Sequence, residues 1–197
     1  SSKFSKCRVI YYPNSVASMQ ILLLSGDIES ETHLNSKISN SQLEIENYKM
    51  VRRDRSLGMT GGGCLVYIAN HLCFTRLKSF ESTDIEGIWL KIMFDSSAFI
   101  VGSIYRQPSD SEFFQRFYIT LEKVWLKYRN VIVIGDLNAD FTRNRGEIKS
   151  VMGKRLHNIL QHFDYSVVND QQTRITSETS TLIDLVIASM PNTIKCT

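Results

Sequence analysis

Val131-Ile132-Val133-Ile134-Gly135-Asp136-Leu137-Asn138-Ala139-Asp140 is the stretch on which the reading of this chain turns. Four consecutive apolar β-branched residues predict a strand buried on both faces. The apolar run then stops at once. Gly135 is expected to let the backbone turn tightly. Asp136 and Asn138 follow two apart, and the period of a strand puts their side chains on one face. A core strand thus delivers a carboxylate and a carboxamide together to the end of a sheet. An Asp takes up a proton or binds a hard cation; an Asn holds an oxyanion or orients a water. Taken alone, the same residues are as readily an ordinary Asp-Leu-Asn turn, so the rest of the chain decides.

Outward from this strand, the pattern alternates strands with two helices. Upstream, Arg8–Tyr12 and Ile21–Ser25 are strand candidates, and residues 35–47, rich in Ser and Asn, are surface loop. Tyr48–Arg55 is a basic segment that starts as a strand, and Gly61-Gly62-Gly63 opens the strand Cys64–Ala69. Residues 86–94 and 98–106 form a hairpin around Asp95-Ser96-Ser97. Ser109-Asp110-Ser111 is placed to cap a helix whose apolar face is Phe113, Phe114, Phe117, Leu121, Val124, Trp125 and Tyr128. Downstream, Val151, Leu156, Ile159, Leu160 and Phe163 predict a second amphipathic helix. Strands follow at 166–169, 173–176 and 181–188. Many strands and few helices predict sheets packed together with helices outside. The hairpin at 86–106 and the shortage of helices count against a doubly wound fold.

The composition is that of a globular domain: 197 residues, 43% hydrophobic, 22% charged, with a net charge of +3. That charge permits a polyanionic partner without demanding one. No apolar run approaches the ~18 residues of a membrane span, so no membrane partner is expected. Cys7, Cys64, Cys73 and Cys196 are scattered, without metal-site spacing, which predicts an intracellular, reduced protein. The sequence does not start with Met and shows no capping element after its final strand. An incomplete chain is expected.

Several residues carry potential chemistry. Glu31 lies six residues past an apolar strand, where a plain loop acid is the ordinary alternative. Tyr105 and Arg106 end a strand just before Pro108. Asp184 interrupts the apolar strand 181–188, and a buried carboxylate must pair, bind metal or face a cleft. The glycines 61–63 lack the Lys-Ser/Thr of a P-loop, which favours a hairpin turn. Arg52, Arg53 and Arg55 are a solvated stripe unless a polyanion lies across them. The four histidines show no ligand spacing.

Six motifs then occur in a telling order: Ser30-Glu31-Thr32-His33-Leu34-Asn35, Arg52-Arg53-Asp54-Arg55, Gly61–Ile68, Ile104-Tyr105-Arg106-Gln107-Pro108, Gly135–Ala139 and Ser180–Leu185. In this order the chain resembles endonuclease/exonuclease/phosphatase domains, over about residues 21–189. It is most similar to the endonuclease domain of non-long-terminal-repeat retrotransposons. The resemblance implies a four-layer α/β sandwich, two mixed sheets face to face with helices outside. It implies hydrolysis of a DNA phosphodiester with Mg²⁺, or Mn²⁺ in its place. By position, Glu31 resembles the metal-binding glutamate and Tyr105 the tyrosine on the scissile phosphate. Asp136 resembles the aspartate that orients or deprotonates the attacking water, and Asn138 the residue that steadies the phosphorane. Asp184 resembles the aspartate that bonds the family's histidine. Arg52, Arg53, Arg55 and Arg106 are the expected contacts to double-stranded DNA. A reverse transcriptase domain in the same polyprotein and a nuclear location are the corresponding expectations.

The chain departs from the family pattern in three places. Residues 1–20 offer no convincing metal-site Asn, Asn14 being a poor candidate, and are expected to be an atypical segment before a domain at 21–197. Residues 26–29 read as an insertion. The family's closing Ser-Asp-His strand is absent, so the fold is expected to lack its first and last strands, with the domain incomplete at its C-terminus. Two alternatives follow: a phosphoesterase acting on a non-DNA ester, or a decayed, non-catalytic fragment.

Overall fold

The computed structural model describes residues 5–11, 19–25, 39–54, 63–94, 96–169, 174–175 and 180–196. In chain order the strands are β1 (Ser5–Tyr11), β2 (Met19–Ser25), β3 (Tyr48–Arg53), β4 (Cys64–Ala69), β5 (Cys73–Arg76), β6 (Glu86–Phe94) and β7 (Ser97–Tyr105). Helix α1 (Phe113–Trp125) leads to β8 (Val131–Asp136), and the small hairpin β9 (Arg143–Asn144) and β10 (Glu147–Ile148) to helix α2 (Val151–His162). The chain continues through β11 (Ser166–Val167), β12 (Arg174–Ile175), β13 (Ser180–Thr181), β14 (Asp184–Ala188) and β15 (Ile194–Cys196).

Two sheets carry the fold. One has the order β15-β1-β2-β4-β3, with every neighbouring pair antiparallel. The other has the order β11-β14-β8-β7-β6-β5 and is mixed: only β7 and β8 run parallel. A parallel pair needs a crossover, and α1 supplies it. The expected hairpin is present as β6 and β7, turning at Ser96 with φ 64°.

The alternation of β6, β7, β8 and β14 splits the core in two. One face of these strands packs with β4 between the sheets, through Val66, Ile68, Ile88, Leu90, Val101, Ile132, Ile134 and Val186. The other face packs against the helices, through Trp89, Ile100, Ile104, Val131, Val133 and Leu185 with Phe117, Leu121 and Leu156. Both faces of β8 are buried throughout, as its apolar run predicts. On the far side of β4, Leu65 and Tyr67 are covered by Leu43, Tyr48 and Met50, and the Tyr67 hydroxyl donates to the Leu43 carbonyl at 2.6 Å. Among the described residues no helix is long and apolar enough to cross a membrane.

Three local expectations are corrected. Residues 109–111 do not cap α1: the residue before the helix is Glu112, with no side-chain cap bond, and Asp110 pairs with Arg116 instead. Val151 is 69% exposed; it is the first helical residue, five positions from Leu156 and off the buried stripe. The α2 cap is Ser150, whose side chain accepts from the Gly153 N–H. Gly135 does not turn the chain. It lies inside β8, where a Cβ would sit 1.7 Å from the Ile104 carbonyl oxygen.

Gly135→Ala is expected to cost about 3 kcal/mol or more, because the obstacle is backbone and not a flexible side chain. Gly146→Ala has open space around it and only φ +86° against it, a cost of about 1–2 kcal/mol. Chemical denaturation of the two variants checks the ranking.

Cys64 gives a pH signature. It is fully buried between the sheets, and burial, with Glu86 nearby, pushes its thiol from 9.0 up to about 12. A raised pKa favours the neutral thiol in the native state, so the stabilisation is complete below pH 9 and lost as pH rises towards 12. Denaturant titrations across that window are expected to fall less steeply with pH in Cys64→Ala, by about one proton.

Candidate active site

The parallel pair β7/β8 carries its side chains to one end of the sheet. The antiparallel strands on either side, β6 and β14, begin at that same end. The register pairs Glu86 with Tyr105 and Asp184 with Asp136. The parallel register Ser103 to Ile134, continued along both strands, sets Tyr105 beside Asp136. Glu86, Tyr105, Asp136 and Asp184 therefore form one row across four strands, on the face turned towards the other sheet. Tyr105 is buried with that inter-sheet core. Asp136 and Asp184 are 5% and 7% exposed. Like charges directly opposite across a strand pair oppose folding.

The chain beyond β8 is held tightly. Asp136 Oδ1 accepts from the Asn138 backbone N–H at 2.9 Å, an Asx turn that puts Asn138 at φ 45°. The Asn138 side-chain Nδ2 donates to the Arg106 carbonyl at 2.7 Å, and the Arg106 N–H donates to the Asp136 carbonyl at 2.9 Å. From the other side, Leu137 N–H reaches the Ile183 carbonyl and Phe141 N–H the Leu182 carbonyl. Asp140 Oδ1 accepts from both Thr142 N–H and Leu182 N–H. The Asn169 side chain clasps β14, donating to the Asp184 carbonyl at 2.8 Å and accepting from Val186 N–H at 2.7 Å. The carboxylates and the carboxamide stand on a rigid backbone.

Four sequence-selected residues, Tyr105, Asp136, Asn138 and Asp184, are thereby brought together. Asp184 is the first residue of β14 and lies at the sheet's end, not within the strand. Glu31, the expected metal ligand, and Arg55 lie outside the described residues. Arg106 is a correction. Expected against DNA, it is 2% exposed, and its guanidinium donates to the carbonyls of Leu137, Asn138, Pro108 and Asp110. Burial lowers its pKa, while Asp110 and Asp136 favour its charge. Arg53 also serves the protein, donating to the carbonyls of Gly87 and Ser82 across the sheets. Arg52 pairs with Asp54 at 2.7 Å and bonds Asn40.

Glu86 is not among the residues the sequence selected. Its Oε2 accepts from the Gly63 N–H at 3.0 Å, and its carbonyl accepts from the Cys64 thiol. It therefore ties the start of β4, where Gly63 has φ 98°, to the acid row. The only local signal is an acid opening an otherwise apolar strand. Among the described residues no group of three or more His, Cys, Asp or Glu could hold a metal by itself. The donors that do meet here, two carboxylates and a carboxamide, are hard oxygens. Such a set fits Mg²⁺, which needs few protein ligands and keeps several waters.

Comparisons with known proteins agree with this architecture. The model of the endonuclease-reverse transcriptase family matches residues 99–197, which include Tyr105, Asp136, Asn138 and Asp184. The fold is similar to the endonuclease domain of TRAS1, a telomere-specific non-LTR retrotransposon, with TM-score 0.57 and 15% identity over 73% of this chain and 68% of that one. It is similar to the AP endonuclease LMAP from Leishmania major, with TM-score 0.59 and 12% identity over 87% and 70%. The 3′-5′ exonuclease NExo from Neisseria meningitidis matches with TM-score 0.57 and 12% identity over 85% and 75%. No curated protein sequence matches. The sheet topology, the acid row and a family match over half the chain lead to one conclusion: this chain belongs to the endonuclease-reverse transcriptase family, on an endonuclease/exonuclease/phosphatase fold.

Proposed function

We propose that this chain hydrolyses a DNA phosphodiester with the help of Mg²⁺, nicking double-stranded DNA as the endonuclease module of a retrotransposon-type protein. The observation that carries the proposal is the convergence of Asp136, Asn138, Tyr105 and Asp184 at one end of the mixed sheet. In this reading Asp136 orients and deprotonates the attacking water. The Asn138 N–H that it accepts fixes the direction of its carboxylate. Asn138 steadies the negative charge that builds on the phosphorane, the kind of preorganised amide that stabilises a developing oxyanion. Tyr105 contacts the phosphate, and Asp184 stands opposite Asp136 on the neighbouring strand, at the far side of the site. Mg²⁺, with Glu31 and these oxygens, supplies positive charge to the phosphate and the leaving oxygen when bound. Mn²⁺ has the same ligand preference for oxygen and is expected to substitute. A reverse transcriptase domain in the same polyprotein, and work in the nucleus, fit the same reading.

Nicking of supercoiled plasmid tests it. Activity is expected only with Mg²⁺ or Mn²⁺, and Asp136→Ala should lower it by about 10²–10⁴. Cleavage that survives both chelator and the substitution would refute the assignment. Release of phosphate from a non-DNA ester, with plasmid left intact, would redirect the substrate.

The DNA side of the proposal rests on β3. Its last residue, Arg53, bonds Gly87 and so lies at the same end of the sandwich as the acid row. Arg52, in a solvent-accessible pair with Asp54, is then the cation positioned to meet a phosphate. Arg52→Ala should weaken binding equally for unrelated duplexes and reduce the salt slope by about one. Arg53→Ala should instead lower the melting temperature. An unchanged salt slope for Arg52→Ala would leave it a surface ion pair.

A further inference from the structure

We propose that Arg106 is a positioning residue of the active site, a buried fork that holds the Leu137–Asn138 turn and so aims Asn138 and Asp136. The inference rests on the hydrolytic reading above, but its geometry is independent of it. Arg106 Nη1 donates to the Asn138 carbonyl at 3.1 Å and, more weakly, to that of Leu137 at 3.4 Å. Nη2 donates to the Pro108 carbonyl at 3.2 Å and the Asp110 carbonyl at 3.0 Å. One guanidinium thus joins the loop after β7 to the loop after β8. The Phe114 ring lies 5.1 Å from the guanidinium carbon and closes one face. Asp110, whose carbonyl is one acceptor, is itself anchored by Arg116.

The backbone of the same residue completes a reciprocal clamp. The Arg106 N–H holds the Asp136 carbonyl, and the Arg106 carbonyl receives the Asn138 side-chain amide. Asn138 is therefore gripped at both its carbonyl and its carboxamide while it stays in the left-handed region at φ 45°. A short polar residue visits that region with local support, and here the support is Arg106. All four acceptors of the guanidinium are main-chain carbonyls. Both Nη atoms are thus committed to the fork, and the buried Nε has no partner among the described residues. A planar fork spans two loops in a way that a single ammonium cannot. None of this geometry faces outward, as a contact to DNA would.

The test uses Arg106→Lys in the full chain, because Lys keeps the charge and loses the fork. A positioning role predicts kcat lowered about 10–100-fold, since small misplacements near the chemistry cost that much. KM and the salt slope of DNA binding should stay within about twofold. A direct DNA contact predicts the reverse: kcat preserved, with the loss appearing in KM. The second readout needs no activity. The Asn138 side-chain amide should give a distinct, slowly exchanging pair of ¹⁵N-correlated resonances in the wild type, collapsed or shifted in Arg106→Lys. Should that variant not fold, Phe114→Leu keeps the arginine, frees one face of its head group, and is expected to lower kcat several-fold with the same amide change. An Asn138 amide unchanged in a folded Arg106→Lys, or a loss confined to KM, would overturn the proposal. If the wild type does not nick DNA, the hydrolytic reading fails while the amide readout still decides the role of Arg106.

Discussion

Residue 135 can carry no side chain, and the arrangement of the site follows from that. The Ile104 carbonyl lies where a Cβ would be, so β7 and β8 approach closely just before both end. Close approach there lets Arg106 and Asp136 share a main-chain hydrogen bond beyond the last regular pair of the ladder. Without that bond the two strand ends would splay, and Tyr105 and Asn138 would separate. A glycine whose local pattern suggests a turn is in fact the contact that keeps two strands together.

The acid row is electrostatically demanding, and the surrounding bonds show how the fold accommodates it. Asp136 is turned by the Asn138 N–H, Asp184 sits on a strand clasped by Asn169, and Glu86 is engaged by Gly63. Arg106 supplies a buried positive charge behind the turn. Preorganised dipoles of this kind act without rearrangement when charge develops in a reaction. Main-chain hydrogen bonds from Arg106, Leu137 and Phe141 hold the turn beside the acid row, since polar groups at a buried sheet end are tolerated when they are bonded.

Much of this was legible in the sequence, and the limits are physical. The apolar run 131–134, the hairpin read at 86–106 and most of the α1 stripe are local patterns with periods that burial enforces, and the structure has them, except that Trp125 is 38% exposed and Tyr128 lies beyond the helix. Asp136, Asn138, Tyr105 and Asp184 stood out because polar residues interrupted or ended apolar strands. The motif order added the family, which the match over residues 99–197 then showed. The roles of Glu86, Gly135 and Arg106 were not legible, because each depends on a partner far away in the sequence. Glu86 matters through Gly63, 23 positions away, and Arg106 through Leu137 and Asn138, 31 and 32 positions away. An arginine beside Tyr105, in a motif that resembles a nuclease site, looks like a DNA contact until its carbonyl partners are seen. The hairpin β9/β10 turns on Arg145 and Gly146, both at positive φ, and an Arg at the first of these gives no turn signal.

The pairing of β1 with β15 has a consequence for how the chain is made. Val9 stands opposite Cys196, so this sheet joins nearly the whole length of the sequence. The mixed sheet is different: its strands β5 to β8 are neighbours in sequence and in space. During synthesis the mixed sheet and its helices have most of their partners early, whereas β1 waits for β15 to emerge from the ribosome. Closing so long a loop adds little to the equilibrium cost, which grows only logarithmically with length. Its effect is on time, since non-local pairing is slow. Through that interval β1 has one paired edge and one open edge, and a nascent chain in that state is exposed to capture by a neighbouring strand or to retention by chaperones.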